Sequence, residues 1–474
     1  MKAWDIDELR RGCKGRWILR GSRAFNGKIA TDSRKAGEGD LFIAIKGERH
    51  DAHQYLEQVF AAKVAAVLVH AELTPAQHAA ATANGCAVIA VEETIAGLNR
   101  LASAYRETVR AKVIAVGGSN GKTTTKRIID ALLAEKYRGV ASPKSFNNNI
   151  GMPLTLLSVE PSHEYAVLEI GTNAPGEIAA LGAVCRPDIA LITSIGLEHL
   201  EKLKDIEGVA GEEASIASYI TANGTLILPA EASELLLALK AAKVQKILIG
   251  REKADGKRSK SDETVDLVAT GIETSRHGTR FGINGRGAYT VPLLGEHNAS
   301  NALMAIAVAR RLGLSEDQII SGLAKVKPAD MRLELMQIGP YAIINDAYNA
   351  NPTSMEAALK VLAGMKDAPR RVAILGDMLE LGDLSPAMHK HIGTLVASLG
   401  IERFIAVGPM MAEAAHVARA AGVNVTHFAD STTAGHNIAG LVETTDALLL
   451  KGSRGSAMEK ILVGLGHTVP AHAH

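Results

Sequence analysis

Cysteine is scarce in this 474-residue chain: Cys13, Cys86 and Cys185 are far apart and form no CxxC pair. That excludes a disulfide framework and points to incidental or buried thiols in a reducing compartment. Excess charge is almost absent, the formal net charge being +1, so neither nucleic acid nor an acidic membrane is an expected partner. No run approaches the roughly 18 apolar residues of a membrane span. Met1 to Arg20 mixes acids and bases and lacks the apolar stretch of a secretion signal. The expectation is a cytoplasmic protein, monomeric by default. Apolar residues are plentiful, at 47%, over a length too great for one core, and about three domains are expected.

Punctuation divides the chain into three α/β regions. In residues 1–108 short apolar runs (Leu41 to Ile45, Ala65 to His70) alternate with helical patterns such as Gln54 to Ala62, a small α/β unit. Residues 109–327 open with the buried-strand pattern Lys112 to Val116, a glycine-rich turn and a helix from Lys122 to Lys136. Further runs at Tyr165 to Ile170, Ile189 to Ile195 and Thr225 to Leu228 are separated by helix-length segments, the pattern of a parallel sheet covered on both faces. The charged stretch Arg251 to Thr264 reads as a solvated loop, and a helix from about Ala299 to Leu312 stops at Gly313. After a boundary near Lys327-Pro328, residues 328–474 again alternate strands (Tyr341 to Ile344, Arg371 to Leu375, Arg403 to Val407, Ala447 to Leu450) with helices. This third unit is Rossmann-like but has no G-x-G-x-x-G turn, so no dinucleotide is expected there.

The strongest chemical signal is Gly118-Ser119-Asn120-Gly121-Lys122-Thr123-Thr124 between a strand and a helix. Amides of such a turn wrap phosphate oxygens, the helix N-terminus adds its positive end, and Lys122 reaches the outer phosphates. Thr123 is placed to hold magnesium. The longer Walker pattern wants a glycine where Val116 stands. Glu169 ends a strand and so lies on the rim nearest this turn: it is either a solvated residue or a carboxylate for the nucleotide's metal. His199, between Glu198 and Glu201, follows the next strand onto that rim. Asn298, with Asn301, starts a helix and could be no more than its N-cap. Polar residues crowd at strand ends in Asn345-Asp346-Ala347-Tyr348-Asn349-Ala350-Asn351-Pro352, Gly376 to Gly382, and Lys451-Gly452-Ser453-Arg454. Together they suggest a second nucleotide-contacting surface facing the turn.

In this order the segments resemble the Mur ligases, cytoplasmic enzymes that build the peptide of the peptidoglycan precursor, and the resemblance runs nearly end to end. The strings DAYNANP, ILGDMLELG and KGSR are similar to those of the members that add D-alanyl-D-alanine to UDP-N-acetylmuramoyl tripeptide. No D-[ND]-P-R motif of the diaminopimelate- or lysine-adding members is present. The resemblance implies an N-terminal domain for the UDP end, a central ATPase and a C-terminal lid carrying the incoming amine. It implies UDP contacts at Thr31, Asp32, Ser33, Arg34, Lys46 and Gly47, and sugar-peptide contacts at Asn147, Asn148, Ile150 and Gly151. ATP is implied at Gly118 to Thr124, with adenine at Asn298 and Asn301, and nucleotide contacts from Asp346, Tyr348 and Asn349. Magnesium ligands are implied at Glu169 and His199, and peptide or dipeptide contacts at Lys451 and Arg454.

One departure concerns a lysine that is carbamylated in many members and helps hold a second magnesium; Glu213 occupies its place. A carboxylate presents similar anionic oxygens to a hard cation, so Glu213 is a candidate metal ligand. The implied chemistry is γ-phosphoryl transfer to a carboxylate, then amine attack on the acyl phosphate. Water must be kept out, so closure of the third domain about a hinge near Lys327 and Pro328 is expected. Two alternatives stand beside this: a folate-extending ligase on the same scaffold, and a catalytically silent ATP-binding subunit.

Overall fold

The computed structural model describes residues 4–47, 50–252 and 265–467. From residue 253 on, the stretch expected as a solvated loop lies outside them. Three sheets follow one another along the chain and share no strand. In the first, the parallel strands Ile29–Ala30, Leu41–Ile43, Ala66–Val69 and Ala87–Ala90 lie side by side, with antiparallel Arg16–Leu19 at one edge. Every residue of Leu41–Ile43, Ala66–Val69 and Ala87–Ala90 is buried, as expected of continuous apolar runs in a sheet covered on both faces. The helix Thr94–Arg106, capped by the Glu93 carboxylate on the amides of Ile95 and Ala96, docks this unit on the next. Its Leu98, Leu101 and Tyr105 belong to a core that continues into Leu156 and Leu157, and the Tyr105 hydroxyl donates to Val159 O at 2.6 Å.

The central sheet has nine strands. Lys112–Gly117 lies between Tyr165–Glu169 and Ile189–Ile192, all parallel, so the turn after it opens onto the rim where both neighbours end. Five strands extend the four expected: Gly139–Ala141 and Gln245–Arg251, both parallel to their neighbours, and Leu267–Ser275, Gly278–Ile283 and Arg286–Val291, the last two pairings antiparallel. Asn284 and Gly285 make the last connection with φ of +52° and +76°, the left-handed pair that suits a two-residue hairpin. The sequence therefore carried a signal for this departure.

The third sheet runs Glu334–Ile338, Tyr341–Asp346, Ala447–Lys451, Arg371–Gly376, Arg403–Val407 and Asn424–Phe428, parallel except for the first strand. Lys327 and Pro328 fall in the connection between the helix Glu316–Ala324 and this sheet, where Arg127 donates to Pro328 O at 2.6 Å. The third unit is seated on the second. Leu200, Leu203, Val209 and Leu294 share a buried cluster with Leu333, Met378 and Leu381, and Asn351 Nδ2 donates to Asn120 Oδ1 at 3.0 Å.

Candidate functional site

The turn after Lys112–Gly117 holds its shape through positions that only glycine fits. Gly118 and Gly121 have φ of +108° and +86°. A Cβ on Gly118 would lie 2.5 Å from Thr193 Oγ1, and one on Gly121 would lie 2.6 Å from Asn301 Oδ1. The loop after the neighbouring strand pins the turn: the amides of Ser119 and Asn120 donate to Ser194 O and Oγ, each at 2.9 Å. Lys122 Nζ lies over the turn, donating to Gly118 O at 2.5 Å and Ser119 O at 3.2 Å. The helix Lys122–Leu133 begins here with no side-chain cap, leaving its first amides to an anion.

Glu169 is wholly buried, and three donors converge on its carboxylate. Thr123 Oγ1 lies 3.0 Å and 3.2 Å from its two oxygens, Asn147 Nδ2 is 3.2 Å from Oε1, and Lys126 Nζ is 2.8 Å from Oε2. Thr123 and Lys126 are three residues apart on one helix and share a face. Lys126 was missed in the sequence because a lysine in a helix reads as a solvated charge. Here it is 2% exposed and also bonds the Lys144 carbonyl, tying the loop that carries Asn147 and Asn148 to Glu169. Burial pulls its ammonium below the usual lysine range, and Glu169 opposes that shift.

A cavity of about 450 Å³ opens above these groups, within the size range of small-ligand pockets. The structure brings to it Ser119, Asn120, Gly121, Lys122 and Thr124 of the turn, Asn147 and Asn148, Glu169, His199, Asn298 and Asn301, and from the third unit Asp346, Tyr348, Asn349 and Lys451. Asn298 is not the N-cap: that is Glu296, while Asn298 donates to Leu294 O and accepts from Asn301 at 2.9 Å. Gly118, Thr123 and Glu213 are not among the lining residues. Lys451 is 2% exposed and held by Asp346 Oδ2 at 2.7 Å and Asn349 O at 2.9 Å, so it braces the segment carrying Tyr348. Arg454 is outside the lining, 3.4 Å from Glu459. Within Gly376 to Gly382, Asp377 is consumed in bonding the amides of Met410 and Met411 at the start of the helix Met411–Ala420.

In the N-terminal unit, Thr31 to Arg34 follow Ile29–Ala30, and Lys46 and Gly47 follow Leu41–Ile43. These strands are parallel neighbours, so both segments leave one rim. Arg34 grips both Asp32 oxygens at 2.9 Å, which holds that carboxyl down at about 2.

Glu213 lies behind the turn: a Cβ on Gly117 would fall 2.7 Å from its Oε2. It is 1% exposed, and neither carboxylate oxygen has a hydrogen-bond partner of good geometry among the described residues. Burial pushes it up to about 7, against the pull of Lys122. Between the ordinary glutamate value of 4.5 and about 7 the folded chain keeps a proton that the unfolded chain releases, so stability falls as pH rises through this window. Glu213→Gln is therefore expected to stabilise the fold at about pH 8 by up to about 3 kcal/mol, and hardly at all at about pH 4. Melting curves at the two pH values check this; the same shift at both would contradict it.

The donor set at the turn suits a magnesium ion. Among the described residues no three His, Cys, Asp or Glu side chains form a ready-made metal cluster. Magnesium is, however, commonly held by one or two protein oxygens together with substrate phosphates and water. The Thr123 hydroxyl and Glu169 carboxylate, adjoining at the phosphate turn, fit that requirement.

These features, a strand–glycine turn–helix facing a cavity between two α/β units, are those of the P-loop class. The family model described as Mur ligase middle domain matches residues 116–309, and that described as Mur ligase, glutamate ligase domain matches residues 331–454. The chain belongs to the Mur ligase family. It is 37% identical to the UDP-N-acetylmuramoyl-tripeptide--D-alanyl-D-alanine ligase of Bacillus subtilis, covering 92% of each chain, and 35% identical to that of Escherichia coli, covering 92% of this chain and 93% of the relative. A MurF crystal structure from Acinetobacter baumannii superposes with a TM-score of 0.85 at 32% identity over 98% of both chains. The fold is also that of Thermotoga maritima MurF ligase in complex with ADP, with a TM-score of 0.78 at 22% identity over 92% of this chain and 96% of that one.

Proposed function

We propose that this protein is an ATP- and magnesium-dependent amide ligase that joins D-alanyl-D-alanine to UDP-N-acetylmuramoyl tripeptide, releasing ADP and phosphate. The observation that carries the reading is the meeting, in one cavity, of the phosphate turn, the Glu169 cluster and the Asp346 to Asn351 segment of the third unit, in a chain similar over nearly its whole length to relatives bearing that name. Residues 1–108 hold the UDP end through Thr31 to Arg34, Lys46 and Gly47. Residues 109–327 hold ATP, with Asn298 and Asn301 at the adenine. Residues 328–474 close over it and bring the dipeptide, with Arg454 at their edge. The protein acts as a monomer in the cytoplasm. None of its described helices is long and apolar enough to cross a membrane.

A carboxylate resists amine attack because its leaving group would be oxide; phosphorylation replaces that with phosphate. The uncapped first amides of the helix Lys122–Leu133 and the Lys122 ammonium neutralise charge on the moving phosphoryl group. Thr123, Glu169 and His199 would hold magnesium, which shields the phosphate oxygens. Asn147 and Asn148 orient the sugar-peptide carboxylate, and the seated third unit excludes water from the acyl phosphate. The amine then attacks, and the tetrahedral intermediate expels phosphate to leave the amide.

Glu213 takes the place of the carbamylated lysine. Set behind the turn, its carboxylate would add negative charge next to an ion held by Thr123 and Glu169. Glu213→Gln is expected to raise the magnesium concentration needed for half-maximal turnover; unchanged magnesium dependence and turnover would refute this role. Phosphate release tests the whole reading and is expected only when both UDP-N-acetylmuramoyl tripeptide and D-alanyl-D-alanine are present. X-ray scattering is expected to show compaction when ATP analogue, magnesium and both substrates are added, and an unchanged radius of gyration would contradict closure about Lys327 and Pro328.

A further inference from the structure

Among the described residues, a charged contact from the third unit onto a proposed metal ligand is made by Glu380, whose carboxylate contacts His199 Nδ1 across the unit boundary. The contact is built from both sides. His199 and Glu380 have φ of +53° and +63°, the left-handed conformation that costs a residue bearing a Cβ about 1 kcal/mol or more. On the Glu380 side, Asp377 is locked onto the helix Met411–Ala420, and Leu379 N donates to Ser453 Oγ at 3.0 Å. On the His199 side, the helix Leu200–Leu203 begins at once, and its two leucines share an apolar cluster with Met378 and Leu381. Gly382 lies against Glu201, where an added Cβ would stand 3.7 Å from its Cγ. Surroundings that impose two unfavourable backbone conformations and bring the side chains together make this a specified contact.

We propose that Glu380 is a positioning residue for His199, so that seating the third unit and completing the metal site are one event. The Nδ1–H donates to Glu380, which fixes the ring's tautomer and angle. Nε2 stays on the side of Glu198, whose carboxylate is 3.9 Å away and lines the cavity with His199. A carboxylate behind a metal-binding histidine does this in many metal sites, and its loss costs about 10- to 100-fold in metal affinity. The proposal rests on the reading of His199 as a magnesium ligand. It explains how a ligase could delay phosphoryl transfer until the lid that carries the amine has closed.

The test uses the full chain with ADP and Mn2+ as the magnesium probe, with Mn2+ affinity read by electron paramagnetic resonance. Glu380→Ala is expected to weaken Mn2+ binding about tenfold, and Glu380→Gln, whose amide oxygen still accepts, to restore most of it. In a His199→Ala background Glu380→Ala should have no further effect. In turnover kcat should fall while KM for ATP holds. The Glu380 side chain is 56% exposed, so the fold should survive, and an unchanged melting temperature verifies that. Unaltered Mn2+ affinity in Glu380→Ala overturns the proposal, as does an equal loss in the His199→Ala background. Absence of ligase turnover in the wild-type chain, with the Mn2+ effect intact, would refute the proposed reaction and leave the Glu380 role standing.

Discussion

Lys122→Met is expected to lower turnover by about 10²- to 10³-fold, the usual cost of removing one fixed donor from a developing anion. In the structure this ammonium rests on the Gly118 and Ser119 carbonyls, beside the uncapped helix start whose amides would meet the phosphates. Its methylene stem is kept by methionine, so packing is retained. Glu198 and Glu213 both feel the lysine's charge, and burial already raises both above the ordinary glutamate range. Losing Lys122 lets them hold protons more firmly and limits the damage to the fold, which should lose about 1 kcal/mol or less. Single-turnover phosphate transfer and a denaturant melt, measured side by side, check both halves. A large loss of stability would mean that Lys122 is mainly a structural counter-ion.

The second large effect is expected from breaking the pair Lys126–Glu169. Both side chains are almost completely buried, at 3% and 1% exposure, and removing one partner of such a pair strands the other charge at a cost of about 3–5 kcal/mol. Lys126→Met should therefore unfold at markedly lower denaturant. It should also lose turnover, because Glu169 then keeps only Thr123 and Asn147 as donors and the Lys144 carbonyl loses its bond. Lys126→Met with Glu169→Gln in the same chain should recover stability without recovering activity. That separation is the check: if activity returned with stability, the pair would be structural alone.

These two cases show where sequence reasoning works on this fold. Lys122, Glu169 and His199 were legible because each follows a predicted strand, and the ends of parallel strands share a rim, so position along the chain stood in for position in space. Asn298 and Asn301 were legible as a polar pair opening an apolar helix. Lys126 was not, since nothing local separates a buried helical lysine from a solvated one; its burial depends on Glu169, which comes from another strand. Lys451 reaches the cavity, as its place after a strand implied, but its pairing with Asp346, 105 residues away, has no local signal. Glu380 was hidden in a string whose more conspicuous acid, Asp377, turned out to serve a helix start. The three strands after residue 267 had a readable cue in Asn284-Gly285, but the expectation of a purely parallel sheet left no place for a hairpin.

The most direct test of the central claim is the mass of the product formed by purified protein from ATP, magnesium, UDP-N-acetylmuramoyl tripeptide and D-alanyl-D-alanine. The predicted result is one new nucleotide, heavier than the acceptor by the dipeptide less one water, formed in step with phosphate. Phosphate released with no such nucleotide, or the same product formed without ATP, would contradict the account.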